Sequence, residues 1–191
     1  MLRCDDSKTY IVEVPDILSK EECAELVQRI EMLSPEVAPI NTASGTKVRT
    51  DIRNNERVMF DDAELALSLF GKVKDRLPQE FRGRWISGAN ERFRCYRYKP
   101  GMRFKVHADG SYQRNEMEKS FYSFLVYLND DFDGGETNFF TEPELSIKPV
   151  AGAGLLFQHP LLHEGAVVNS GTKYVARSDI MYTKMDGQGA A

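Results

Sequence analysis

The chain predicts an α+β fold: a double-stranded β-helix, or jelly roll, with N-terminal supporting helices. Helical periodicity stops near Pro78, and from residue 83 onward short apolar runs follow one another between turn residues. Helices first and many closely spaced strands afterwards is the order of an α+β domain whose later part closes into two facing sheets. In that architecture a ligand sits in the mouth between the sheets. The 191 residues are enough for one ordinary core, so a single domain over 1–185 is expected, with a flexible C-terminal tail at 186–191.

The elements follow in order. Residues 9–14 read as a strand closed by Pro15. A helix then opens with a capping box, Ser19 and Glu22, and carries Ala24, Leu26, Val27, Ile30 and Leu33 at helical spacing. Residues 35–57 are polar and irregular. A second helix is capped near Asp61 or Asp62, shows Ala66, Phe70, Val73 and Leu77 on one side, and ends at Pro78. Strands are expected at about 83–87, 91–98, 103–108, 120–128, 136–140, 145–149, 153–158, 161–168 and 173–182.

A net charge of −4 argues against generic nucleic-acid or anionic-membrane partners, so no nucleic acid and no membrane are expected. Cys4, Cys23 and Cys95 are odd in number and lack metal-type spacing, which points to a reducing, cytoplasmic setting. The chemistry concentrates in Phe104-Lys105-Val106-His107-Ala108-Asp109-Gly110. His107 and Asp109 lie two residues apart, so on an extended strand both side chains leave the same face. An imidazole and a short carboxylate make two thirds of the facial triad that holds Fe(II) with coordination positions open to O2. The third ligand must be His159 or His163, the two remaining histidines. His159 precedes Pro160 in a turn and reads as structural, whereas His163 opens a strand running through Val167 and Val168. Lys173 follows His163 by ten residues, and Lys173, Val175 and Arg177 share one strand face. A fixed cation there suits a dicarboxylate co-substrate, one end on the metal and the far carboxylate on the cation.

His107-x-Asp109, His163 and Lys173 together resemble the iron and 2-oxoglutarate site of the prolyl 4-hydroxylase-like Fe(II)/2-oxoglutarate-dependent dioxygenases. So do Ile17-Leu18-Ser19-Lys20-Glu21-Glu22-Cys23, Tyr98-Lys99-Pro100-Gly101, Tyr127-Leu128-Asn129-Asp130 before Gly134-Gly135-Glu136-Thr137, and Gly152-Ala153-Gly154-Leu155-Leu156-Phe157. The similarity spans roughly residues 10–182. The resemblance implies His107, Asp109 and His163 as catalytic metal ligands, and Lys173, with Tyr98 and Arg177, as contacts of 2-oxoglutarate. Lys173 matches by position and is preferred over Arg177 for the far carboxylate. It further implies Fe(II), 2-oxoglutarate as co-substrate, ascorbate as an accessory factor, and hydroxylation of an unactivated C–H bond coupled to decarboxylation to succinate and CO2. O2 and 2-oxoglutarate are then partners, beside a protein, peptide or small-molecule substrate, for which a prolyl residue is the analogy. Two other readings stand beside it: a small-molecule hydroxylase, and a non-oxidative, cupin-like metal-binding protein, which would need no cation at Lys173.

Three further groups have two readings each. Arg92 and Arg94 share a face with Tyr96 and Tyr98 and form a salt-bridged sheet face or reach into the mouth. Asn129 and Thr137 line the same pocket or face outward. The polar segments 40–57 and 110–119 flank the mouth, where Arg49, Arg53 and Arg114 receive an acidic or carbonyl-rich substrate or are simply solvated.

Overall fold

A computed structural model describes residues 10–42 and 45–185. The expected tail at 186–191 and Cys4 lie outside these residues. In chain order the elements are β1 (Ile11–Val14), α1 (Lys20–Met32), β2 (Glu36–Val37), β3 (Ile40–Thr42), β4 (Gly45–Lys47), β5 (Glu56–Asp61) and α2 (Ala63–Val73). Then come β6 (Glu80–Phe81), β7 (Arg84–Ala89), β8 (Arg92–Tyr98), β9 (Phe104–His107), β10 (Glu118–Tyr127), β11 (Asp133–Gly134) and β12 (Thr137–Phe139). The last five are β13 (Leu145–Ile147), β14 (Gly154–Gln158), β15 (His163–Gly165), β16 (Val168–Ser170) and β17 (Lys173–Thr183).

The major sheet has the order β1-β14-β10-β17-β8-β5-β2, with β7 pairing on the far half of β17 and β6 on β7. The minor sheet runs β13-β12-β15-β9. Strict alternation along the central strands sorts side chains into two cores. On β10, Phe124 and Val126 join the helices, while Leu125 and Tyr127 turn toward the minor sheet. On β8, Phe93 and Cys95 face the helices, and Tyr96 and Tyr98 the minor sheet. The result is three layers, helices on major sheet on minor sheet, the jelly roll that the strand spacing predicts. Phe124 is only 1% exposed in the helix-facing core. Its replacement by alanine is expected to cost about 3–5 kcal/mol, read from the midpoint of chemical denaturation.

Several boundaries differ from expectation for physical reasons. Ser19 Oγ accepts from Glu22 N at 3.1 Å, and the Glu22 carboxylate accepts from Ser19 N at 2.7 Å, so the capping box forms. The buried stripe of α1, however, is Cys23, Leu26 and Ile30, and Ala24 lies exposed. α2 is capped by Asp62 and ends at Val73 in a 3₁₀ turn over 74–76, ahead of Pro78. The stretch 35–57 contains short strands, and β5 inserts between β8 and β2, although its charged residues hide the strand pattern. The strand expected over 161–168 is two: β15 pairs with β12 and β9, whereas β16 pairs with β11, so the chain changes partners at Ala166 and Val167.

Candidate active site

β9 and β15 lie side by side in the minor sheet with His163 opposite His107. This antiparallel register brings together two imidazoles that are far apart in sequence, and Asp109 follows at the end of β9. The three side chains offer ligand atoms within 4.8 Å of one another. Asp109 Oδ1 stands 3.8 Å from His107 Nε2, and Asp109 Oδ2 stands 3.7 Å from His163 Nε2.

The two rings are oriented by the same device. His107 Nδ1 lies 2.8 Å from the Lys105 carbonyl oxygen and His163 Nδ1 lies 2.9 Å from that of Leu161. A carbonyl can only accept, so each Nδ1 carries the proton and each Nε2 lone pair points inward. Burial pushes the His107 pKa down to about 4, reinforced by His163, and also lowers His163. Both rings are thus neutral, the form that binds metal. Phe104 stacks on His107 with ring centroids 3.5 Å apart, and His163 packs against Phe157 at 4.6 Å.

Asp109 is 4% exposed in its side chain, and its carboxylate is held from several sides. Arg177 Nη1 reaches Oδ1 at 2.7 Å, and the Ser123 hydroxyl donates to Oδ2. Burial alone would raise its pKa, but the Arg177 guanidinium, the flanking histidines and Ser123 outweigh that and keep it far below the usual carboxylate range. It is charged, as a ligand to a divalent cation should be.

His159 is structural, as its place beside Pro160 suggests. Its Nε2 meets Ser120 Oγ at 2.8 Å and its Nδ1 meets Ser123 Oγ at 2.9 Å, while its carbonyl accepts from Asp109 N at 2.9 Å. Both ring nitrogens are engaged, so neither is free for a metal. Ser123 is not among the site residues that the sequence suggests. The available signal is a lone serine in the apolar run Phe121-Tyr122-Ser123-Phe124-Leu125-Val126-Tyr127.

Two cavities meet at the triad. The inner one is lined by Tyr98, Thr137, His163, Lys173 and Val175, and shares Tyr96, Phe104, His107, Asp109 and Arg177 with the outer one. Lys173 is 3% exposed at the inner end, where Nζ donates to the Gly135 carbonyl. Its ammonium lies 5.3 Å from the Tyr98 ring and 5.5 Å from the Tyr127 ring. Gly135 has φ +70°, and a Cβ there would press within 3.1 Å of the Lys173 stem, Phe132 and Val168. Burial pushes the Lys173 pKa down to about 7, partly opposed by Glu136. Tyr98 lies buried beside Lys173, and burial raises its phenol pKa. Thr137 lines the inner cavity and shares a hydrogen bond of 2.8 Å with Tyr127 Oη. Asn129 instead ties a turn through Asp131, Thr172 and Tyr174.

Arg177 shares the inner cavity with Lys173, but it is committed to the carboxylate of Asp109, with Asp179 at 3.4 Å as a second partner. Arg92 pairs with Asp61 and Arg94 with Asp179, the salt-bridged sheet face. Arg49 pairs with Asp51, and Arg114 with Glu118 and Glu91, so both are occupied with neighbours, leaving only Arg53 of the three flanking arginines at the mouth. Arg53 is not on a loose lid either: it bridges to Phe104, and Lys105 N donates to Ile52 O at 3.0 Å.

Two neutral imidazole nitrogens and one carboxylate converging from one side fit Fe(II) by donor chemistry and leave the opposite side open. On a jelly roll, that donor set suits a non-haem Fe(II) oxygenase. Comparison with known proteins agrees. The model of the 2OG-Fe(II) oxygenase superfamily matches residues 93–178, which include His107, Asp109, His163 and Lys173. Prolyl 4-hydroxylase 1 of Arabidopsis thaliana is 25% identical over 192 residues, covering 87% of this chain. The chain spans 66% of the length of that plant protein. The viral collagen prolyl hydroxylase of Paramecium Bursaria Chlorella virus-1, solved as a 2OG complex, superposes with a TM-score of 0.66 at 26% identity, covering 92% of this chain and 97% of that one. The prolyl hydroxylase of Trichoplax adhaerens, solved with a hypoxia inducible factor peptide fragment, shares the fold with a TM-score of 0.66 at 17% identity over 91% of this chain and 83% of that one. Over the residues that carry the site, the chain is thus similar to 2OG-Fe(II) oxygenases and to prolyl 4-hydroxylases among them. Among the described residues no helix is long and apolar enough to cross a membrane.

Proposed function

We propose that this enzyme, a single catalytic domain over residues 1–185, hydroxylates a C–H bond of a prolyl residue in a protein or peptide. Bound Fe(II), 2-oxoglutarate and O2 supply the oxidising chemistry, with 2-oxoglutarate decarboxylated to succinate and CO2. The observation that carries this reading is the pair of cavities meeting at one donor set. His107, Asp109 and His163 hold the metal between them. Lys173 and Tyr98 close the inner cavity and receive the co-substrate, with the ammonium of Lys173 on its far carboxylate. Arg177 does not take that carboxylate. It fixes Asp109 in its ligating position and keeps it ionised, while Ser123 donates to the same carboxylate and His159 holds Ser123 and the Asp109 backbone N–H. The outer cavity receives the substrate, whose C–H bond must face the triad. The prolyl target is supported by two similar proteins, from Arabidopsis thaliana and from the Chlorella virus, that are prolyl hydroxylases.

The test is turnover of 2-oxoglutarate with Fe(II), O2 and a set of prolyl peptides, with mass spectrometry on the products. Stimulated succinate formation and one added oxygen on proline are expected. Oxygen added only to other residues, or to free amino acids, would exclude the prolyl assignment.

The environment of Lys173 adds a pH dependence. With burial pushing its pKa down to about 7, the side chain is protonated below this value and neutral above it. A carboxylate bound beside it raises that pKa, so binding above pH 7 must take up a proton. Affinity for 2-oxoglutarate is therefore expected to be flat below the pKa and to fall above it, by up to about tenfold per pH unit. Titrations of the Fe(II) protein with 2-oxoglutarate at a series of pH values check this.

A further inference from the structure

We infer that the primary substrate is an anion, whose carboxylate is held by Arg53 and Arg57 in the outer cavity while its reacting carbon faces the metal ligands. The inference rests on the oxygenase reading and specifies the substrate of that same site.

The outer cavity, about 580 Å³ in volume, carries four arginines (Arg53, Arg57, Arg94 and Arg177) against one carboxylate, Asp109. Arg177 is neutralised by Asp109 and Arg94 by Asp179. Two positive charges remain. Arg53 is 5% exposed, and its guanidinium is fixed over the rings of Tyr96 at 4.6 Å and Phe104 at 4.3 Å. Its Nε donates to Asn55 at 2.7 Å, yet its Nη2 is buried with no hydrogen-bond partner among the described residues. A buried guanidinium N–H without an acceptor is destabilising, and an incoming oxyanion relieves it. Arg57 has no carboxylate partner among the described residues, and burial together with Arg53 and Arg94 lowers its pKa. Two guanidiniums that repel one another across a cleft are stabilised by an anion between them, and their planar forks match carboxylate oxygens two at a time. Phe104 touches both Arg53 and His107, so the anion-binding end is built directly onto the metal site.

Such a carboxylate has two sources: an acidic side chain next to the target residue of a peptide, or the carboxylate of a free small molecule. The test is calorimetric, on anaerobic Fe(II) protein saturated with 2-oxoglutarate, so that Lys173 is already occupied. Formation of the visible iron-to-keto-acid charge-transfer band is checked first; its absence would count against the oxygenase reading, independently of what binds the arginines. The probes are the blocked peptide Glu-Pro-Glu and its amide counterpart Gln-Pro-Gln, and the single amino acid pair N-acetylproline and N-acetylprolinamide. We expect at least one acid to bind at least tenfold more tightly than its amide. The peptide pair carrying the difference would indicate an acidic peptide substrate, and the single amino acid pair a free acid. Arg57→Gln is expected to remove that preference while the charge-transfer band still forms, because Arg57 does not line the inner cavity. Acids binding no better than amides, or an acid preference unchanged in Arg57→Gln, would overturn the inference.

Discussion

His107→Ala and His163→Ala are each expected to abolish iron binding while the protein stays folded, whereas Asp109→Ala is expected to lose both iron and stability. The difference lies in what each side chain leaves behind. Each histidine is neutral and hydrogen-bonded through Nδ1 to a carbonyl of its own strand segment, Lys105 or Leu161, so its removal strands no charge. Asp109 is the counter-charge of Arg177, whose side chain is 13% exposed and whose Nε already lacks a partner among the described residues. Without Asp109 the guanidinium keeps only the longer contact to Asp179 at 3.4 Å. Removing one partner of a buried pair costs about 3–5 kcal/mol. Iron content after anaerobic dialysis and denaturation midpoints of the metal-free variants separate the two effects. Iron bound equally well by His163→Ala would take that residue out of the ligand set.

Lys173→Ala is expected to raise the 2-oxoglutarate requirement about 30-fold or more, with iron still bound. Losing one half of a desolvated charge-assisted pair typically costs about 2–5 kcal/mol. Arg177→Ala is expected to act on a different quantity. It frees the carboxylate of Asp109 from its 2.7 Å partner, so it should weaken iron binding and lower stability more than it changes affinity for 2-oxoglutarate at saturating iron. Parallel titrations of iron and of 2-oxoglutarate on the two variants distinguish these roles. The opposite order would make Arg177 the partner of the far carboxylate.

Much of the candidate site is legible from residue spacing, because its residues follow strand geometry. His107 and Asp109 share a face by the period of two, and Lys173 sits at the start of β17 where the turn after β16 delivers it. What spacing does not show is pairing across strands. Arg177 is on the same face as Lys173 in sequence terms, but only the approach of the two sheets shows that Asp109 faces it. Ser123 reads as one polar residue in an apolar strand until the turn carrying His159 is folded against it. The same holds for the mouth. Arg49, Arg53 and Arg114 look equivalent in sequence, yet carboxylates close by satisfy the first and last, whereas Arg53 is drawn under Tyr96 and Phe104. β5 was hidden because Glu56, Arg57 and Asp61 mask its alternation, and it is β5 that brings Arg57 to the cavity.

The most direct test of the account is anaerobic titration of the Fe(II)-loaded protein with 2-oxoglutarate, followed by the visible charge-transfer band of the chelated keto acid. A saturable band is expected in the parent protein, none in His107→Ala, and a shift to much higher 2-oxoglutarate concentration in Lys173→Ala. Iron demonstrably bound at His107, Asp109 and His163 with no band at any 2-oxoglutarate concentration would contradict it.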